Sequence, residues 1–164
     1  MTGDDERRED SQSRPANQRG AARLAAVQAL YQMDIGGVSV EETLAQFMSH
    51  RLGPEADGDE YRPADADFFR QIVNGVIKHQ LDIDPRVNAA LARDWPMTRV
   101  DATLRAILRA GAFELLRRRD IPSRVVITEY VDVAKAFHEN EVPGVVNAVL
   151  DAIAREIAAE EANG

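Results

Sequence analysis

Arg14, Arg19 and Arg23 follow one another near the start of the chain with no acidic residue among them. Arg19 and Arg23 are spaced by one helical turn and so share a face. Each guanidinium is a planar fork of N–H donors matched to the two oxygens of a phosphate or carboxylate, so a pair at this spacing can grip two successive phosphates. A second cationic run, Arg99, Arg105, Arg109, Arg117, Arg118 and Arg119, has only Asp101 and Glu114 set against it. Taken alone, such clusters are more often solvated helix faces than binding sites.

Reactive chemistry finds little else to work with. His50, His79 and His138 are scattered and none pairs with another at ligand spacing, which argues against a zinc or di-iron centre. Cysteine is absent, so thiolate metal sites, disulfides and cysteine nucleophiles are excluded. The acidic run EADGDE lacks the ordered ligand positions and closing glutamate of a calcium loop. Neither a glycine-rich phosphate loop after a strand nor a G-x-S-x-G elbow occurs. Glu129, on the edge of an apolar stripe, reads as the partner of an arginine such as Arg109 rather than as a general base. Asn147, beside another stripe, reads as a satisfied hydrogen-bonding residue. These residues predict a protein that binds rather than one that catalyses, with no cofactor and no metal.

Charge distribution bears on what is bound. The net charge of −8 opposes phosphate binding. Distribution matters more than the total: residues 1–13 carry Asp4, Asp5, Glu6, Glu9 and Asp10 against Arg7 and Arg8, the C-terminus adds Glu156, Glu160 and Glu161, and the basic runs lie between them. No apolar stretch is long enough to span a bilayer and the charged start has no signal-peptide core, so a cytoplasmic location is expected.

The elements that must position the arginines are all helical. Residues 1–13 hold almost no apolar side chains and are expected to form a disordered tail. A helix from about Ala16 to Met33 carries Leu24, Val27 and Tyr31 on one stripe, leaves its arginines on a solvated ridge, and stops at Gly36-Gly37. Ser39 caps a second helix with Leu44, Phe47 and Met48 inward. Residues 52–63, rich in glycine, proline and acids, read as an exposed loop. The next helix, about Asp65 to Gln80, buries Phe69, Ile72, Val73 and Val76, with Gly75 admitting a neighbouring backbone. Asp84-Pro85 looks like a cap with proline in the first position, starting a helix that Trp95-Pro96 closes. Thr98 and Asp101 resemble a capping box for a long helix with Leu104, Ile107, Leu108, Gly111 and Leu115 on one face. Pro122 breaks the period and Ser123 is positioned to cap the next helix, whose stripe is Val126, Tyr130, Val133, Ala134 and Phe137. After a turn at Pro143-Gly144 a last stripe runs through Val146, Val149, Leu150, Ile153 and Ile157. The expected fold is all-α, about seven helices in one domain over residues 14–162, as a three-helix part (14–80) packed beside a four-helix part (81–162).

The runs RGAARLAAVQALYQMD, LRAILRAGAFELL, DIPSRVVITEYVDVAKAF and VVNAVLD, in this order and spacing, resemble the NusB family of bacterial transcription antitermination factors over nearly the whole chain. The resemblance implies the same helical fold. It implies binding of the boxA element of nascent ribosomal-RNA transcripts together with the small ribosomal protein NusE, in a complex with other Nus factors and RNA polymerase. Carried over residue by residue, it implies that Arg14, Arg19, Arg23, Tyr31 and Phe137 contact RNA and that Glu141 lies at the shared RNA and NusE surface. The chain departs from the family at its last motif, where VVNA replaces the usual FVNG through Val145 and Ala148, and at Leu104, where an acidic residue is frequent. A helical protein adaptor or homodimer without RNA binding is the alternative that the net acidity favours.

Overall fold

A computed structural model describes residues 3–51, 66–91, 100–138 and 141–164, with side chains from Gln18 onward except His50 and Arg51. The loop expected at 52–63, the EADGDE run, the Trp95-Pro96 stop and Thr98 lie outside the described residues. Among the described residues there are seven α-helices and one π-helical turn: α1 Gly3–Gly36, α2 Val40–Gln46 continued by the π turn Phe47–Arg51, α3 Ala66–Lys78, α4 Gln80–Ala90, α5 Ala102–Arg117, α6 Ser123–Phe137 and α7 Val142–Asn163.

The middle of α5 is buried on every side. Leu104, Ala106, Ile107, Leu108 and the run Ala110 to Leu115 are all inside, because α1, α3, α4, α6 and α7 each pack against this helix. Small residues at Ala106, Ala110, Gly111 and Ala112 let so many neighbours approach one axis. A Cβ added at Gly111 would lie 2.7 Å from Leu150 Cδ1 on α7, and one added at Gly75 on α3 would lie 2.1 Å from Cε2 of Phe113. What Gly75 admits is thus an aromatic ring, where the sequence suggested a backbone. One apolar cluster runs from Ala22 on α1 to Ile157 on α7, so the two halves drawn from the sequence share a core.

Local signals set some helix ends and lost at others. Ser39 caps α2 as expected, its Oγ accepting from the Glu42 N–H at 3.2 Å, and Gly37, at φ +62°, follows the end of α1. The long helix α5 is capped by Asp101, whose Oδ1 accepts from the Leu104 N–H at 2.8 Å. For α6 the cap position is Pro122, and Ser123 is already the first helical residue. Pro143-Gly144 falls inside the first turn of α7 rather than before it, where a missing proline N–H costs no helical bond. The most informative difference is α4, which begins at Gln80 and runs through Asp84-Pro85. Asp84 does not cap because its carboxylate is held by Arg109 of α5, at 2.8 and 3.0 Å. Only His79 then separates α3 from α4. At the other end, α1 is helical from Gly3, where an unstructured tail was expected up to Ser13.

A methyl group at position 75 has nowhere to go, because the Phe113 ring it meets is itself packed in the core. Gly75→Ala is therefore expected to destabilise the protein by about 1–3 kcal/mol, read as a lower midpoint in chemical denaturation.

Candidate nucleic-acid interface

The site is assembled on α1, α5 and α6. Helices α1 and α5 are joined at two depths, by Arg23 with Glu114 and by Asp34 with Arg105 at 2.8 Å. They run antiparallel, since the partner numbers rise on one helix as they fall on the other. Glu114, between Phe113 and Leu115 in the most buried stretch of the chain, has no water to solvate it. Arg23 supplies two N–H bonds to its carboxylate, Nε to Oε2 and Nη2 to Oε1, both at 2.9 Å. The Tyr130 hydroxyl of α6 donates to Oε2 of the same carboxylate. Glu129 approaches the far side of the guanidinium, at 3.8 Å. Burial by itself would lower the affinity of Arg23 for its proton, but the Glu114 hydrogen bonds and charge outweigh it and hold the group firmly cationic. Burial, with the Glu114 charge next, pushes the Tyr130 phenol well above its ordinary range, so it remains a donor.

This network corrects two readings of the sequence. Arg23 was expected on a solvated ridge as an RNA contact; its side chain is 2% exposed and its fork is filled by Glu114. Helical spacing placed it beside Arg19 but could not show that a carboxylate waited across the interface. Glu129, expected to pair with an arginine such as Arg109, lies against Arg23 instead, because Arg109 is taken by Asp84. A carboxylate inside an apolar run, as at Glu114, was the available signal that an arginine elsewhere must be buried with it.

Arg19 is exposed and makes no ion pair among the described residues. Its guanidinium stacks on Phe68 of α3, 5.2 Å from the ring centroid, and Arg23 and Arg118 lie 5.1 and 5.3 Å from the same ring. The side chain of Arg14 lies outside the described residues. Further along α1, Tyr31 shares a groove with Phe137 at the end of α6: both rings are partly exposed, at 36% and 39%, and they line this groove of about 320 Å³ with Val27, Gln28, Gln32 and Thr103. From Arg19 to Tyr31 is roughly 18 Å along the helix at about 1.5 Å per residue. Glu141 stands exposed at the cap position of α7 and makes no capping bond. Of the departures, Leu104 is buried core, Val145 packs half-buried against the core, and Ala148 is exposed. Asn147 is exposed as well, not tucked into a bonded position.

The two described histidine side chains, His79 and His138, have separate partners. His79 stacks on Phe113 at a centroid distance of 6.4 Å, and burial with the Arg117 and Lys78 charges lowers its pKa. His138 Nε2 lies 3.0 Å from Asp101 Oδ2. Burial would raise the Asp101 carboxyl, but the Leu104 N–H and His138 together hold it below its ordinary value. Among the described residues no cluster of three His, Asp or Glu side chains is arranged to hold a metal ion, and no helix is long and apolar enough to cross a membrane.

Fold and site together define an all-α binding protein that presents, among the described residues, an exposed arginine without an ion pair on α1 and an aromatic groove farther along. Residues 20–155 match the model of the NusB family. The chain is 60% identical over 147 residues to the transcription antitermination protein NusB of Agrobacterium fabrum, covering 90% of this chain and 89% of that one. It is 59% identical over 151 residues to that of Sinorhizobium fredii, covering 92% and 94%. Among solved structures it is similar to T. maritima NusB (TM-score 0.71, 27% identity, 84% and 91% of the two chains). It is also similar to a chain from the structure of antitermination factors NusB and NusE with double-stranded RNA (TM-score 0.67, 26% identity, 85% and 97%). The chain belongs to the NusB family. It is an antitermination factor and not an enzyme.

Two measurements check this geometry. Removing Arg23 strands Glu114 in the core, so Arg23→Ala is expected to cost about 3–5 kcal/mol, whereas Arg19→Ala should leave the denaturation midpoint nearly unchanged. Because the folded Asp101 carboxyl has the lower pKa, its charge stabilises the fold at neutral pH and that contribution is lost as pH falls from about 4 downward. Wild type is thus expected to exceed Asp101→Asn in stability at pH 7, with the gap closing on acidification.

Proposed function

We propose that this chain binds the boxA element of nascent ribosomal-RNA transcripts together with the ribosomal protein NusE, and so promotes processive transcription of ribosomal-RNA operons. In this reading it acts in the cytoplasm, with other Nus factors and RNA polymerase completing the assembly. The observation that carries the reading is Arg19: an exposed guanidinium held over a phenyl ring, with no carboxylate partner among the described residues. A cation pre-oriented in this way is suited to a phosphate. The groove between Tyr31 and Phe137 offers two ring faces for unstacked bases, which is how unpaired RNA is commonly recognised. In this reading Arg14 is a further RNA contact, Glu141 lies at the surface shared by RNA and NusE, and the buried Arg23 serves by fixing the helix that carries Arg19. The neighbouring structure of NusB with NusE and RNA supports the choice of partners.

The alternative, a helical adaptor or homodimer with no RNA role, is favoured by the net charge of −8. The two part in a salt titration of boxA RNA binding in the presence of NusE. The RNA reading expects log affinity to fall with log salt, and Arg19→Ala to weaken binding and flatten the slope by about 0.7. Undetectable RNA binding at low salt, with NusE captured all the same, would establish the adaptor.

A further inference from the structure

Three guanidinium groups surround the single ring of Phe68, and they are neutralised unequally. Arg23 faces Glu114 in the core. Arg118, in the turn between α5 and α6, has its fork filled by Asp120: Nε donates to Oδ1 at 3.0 Å and Nη2 to Oδ2 at 2.9 Å, while Nη1 donates to Gln71 Oε1 at 2.7 Å. Arg19 has no carboxylate partner among the described residues. The pairs at Arg23 and Arg118 share a two-pronged geometry and differ in surroundings. The first is 2% and 0% exposed and permanent; the second is 21% and 62% exposed and open to exchange. Two parallel N–H···O bonds are also what a guanidinium makes with a phosphate. The Arg118 hydrogen bonds, joined by the Arg118 and Arg19 charges, hold the Asp120 carboxyl down at about 2.

We propose that Arg118 is an RNA phosphate-binding residue beside Arg19, and that Asp120 occupies its phosphate seat in the free protein. The inference rests on the RNA reading above. Phe68 holds the two guanidiniums on one ring, and Gln71 keeps the Arg118 fork oriented whichever anion fills it. An incoming phosphate displaces the Asp120 carboxylate, which swings into water and takes up a counterion. In the wild type that uptake cancels the counterion released from the RNA, so the contact at Arg118 adds nothing to the salt dependence. The exposed pair opposing the exchange is weak, so the acid tunes affinity and does not abolish it.

The test is binding of single-stranded boxA RNA, with NusE present, across a salt series. Asp120→Asn is expected to tighten binding about two- to five-fold and to steepen the log–log salt slope by about 0.7, one additional phosphate. Asp132→Asn, an exposed acid on α6 paired only with Lys135, changes the net charge equally and should leave the slope alone. In the Arg118→Gln background the Asp120→Asn gain should vanish; if that variant does not fold, Arg118→Lys, which keeps the charge and loses the fork, should reduce the gain. Equal gains from the Asp120 and Asp132 variants, or a gain that survives the loss of Arg118, would overturn the proposal in favour of general electrostatics. Wild-type binding unchanged by Asp120→Asn would overturn it alone and leave the RNA reading standing. Absence of RNA binding in both proteins would overturn both.

Discussion

A carboxylate buried among apolar side chains is the constraint around which this helical assembly is arranged. Glu114 cannot stay ionised inside α5 without donors, and it takes them from two other helices, the Arg23 fork on α1 and the Tyr130 hydroxyl on α6. Such an arrangement adds little net stability compared with a well-packed apolar core, because desolvation consumes most of the attraction. Its effect lies in specificity. Apolar helices can slide or rotate against one another with modest loss, whereas two parallel hydrogen bonds are satisfied at one depth and one angle of approach. The α1, α5 and α6 axes are thereby fixed relative to one another.

The binding surface inherits this order. Arg19 lies one turn from Arg23, so the anchored side chain dictates the direction in which the exposed one points. Glu129 faces Arg23 from the flank of α6, and farther along the same two helices Tyr31 and Phe137 close on a common groove. The charge network on the other flank, Asp34 and Asp84 with Arg105 and Arg109, ties the end of α1 and the middle of α4 to α5. Among the described arginines of the basic patches, Arg23, Arg105, Arg109 and Arg119 pair with carboxylates of other helices, and Arg118 with Asp120 of its own turn. Cationic residues in the sequence therefore do not translate directly into cationic surface.

Helix faces were legible in the sequence because periodicity records burial directly. Leu104, Ile107, Leu108, Gly111 and Leu115 are all inside, as are Val126, Tyr130, Val133 and Ala134, and Val146, Val149, Leu150, Ile153 and Ile157. Phe137 shares the α6 stripe yet is partly exposed, because the helix ends there and runs off the core. Pairing was not legible. Whether Arg23 met water or Glu114, and whether Asp84 capped a helix or held Arg109, depended on residues distant in sequence that only packing brings together. Local propensity favoured the cap at Asp84-Pro85 and a tertiary ion pair overruled it. For the same reason Phe68 and Asp120 carried no signal, and Arg118 stood out only as one member of a basic run; the three acquire meaning as a group.

The continuity of α1 has a consequence for how such a chain can diverge. Arg19, Arg23 and Tyr31 ride on one unbroken helix whose rotation is locked in the core. Losing or gaining a single residue between the lock and the groove would turn everything beyond it by about 100°. Substitutions can therefore accumulate along this segment while its length stays frozen, and changes of length are pushed out to the connections between helices.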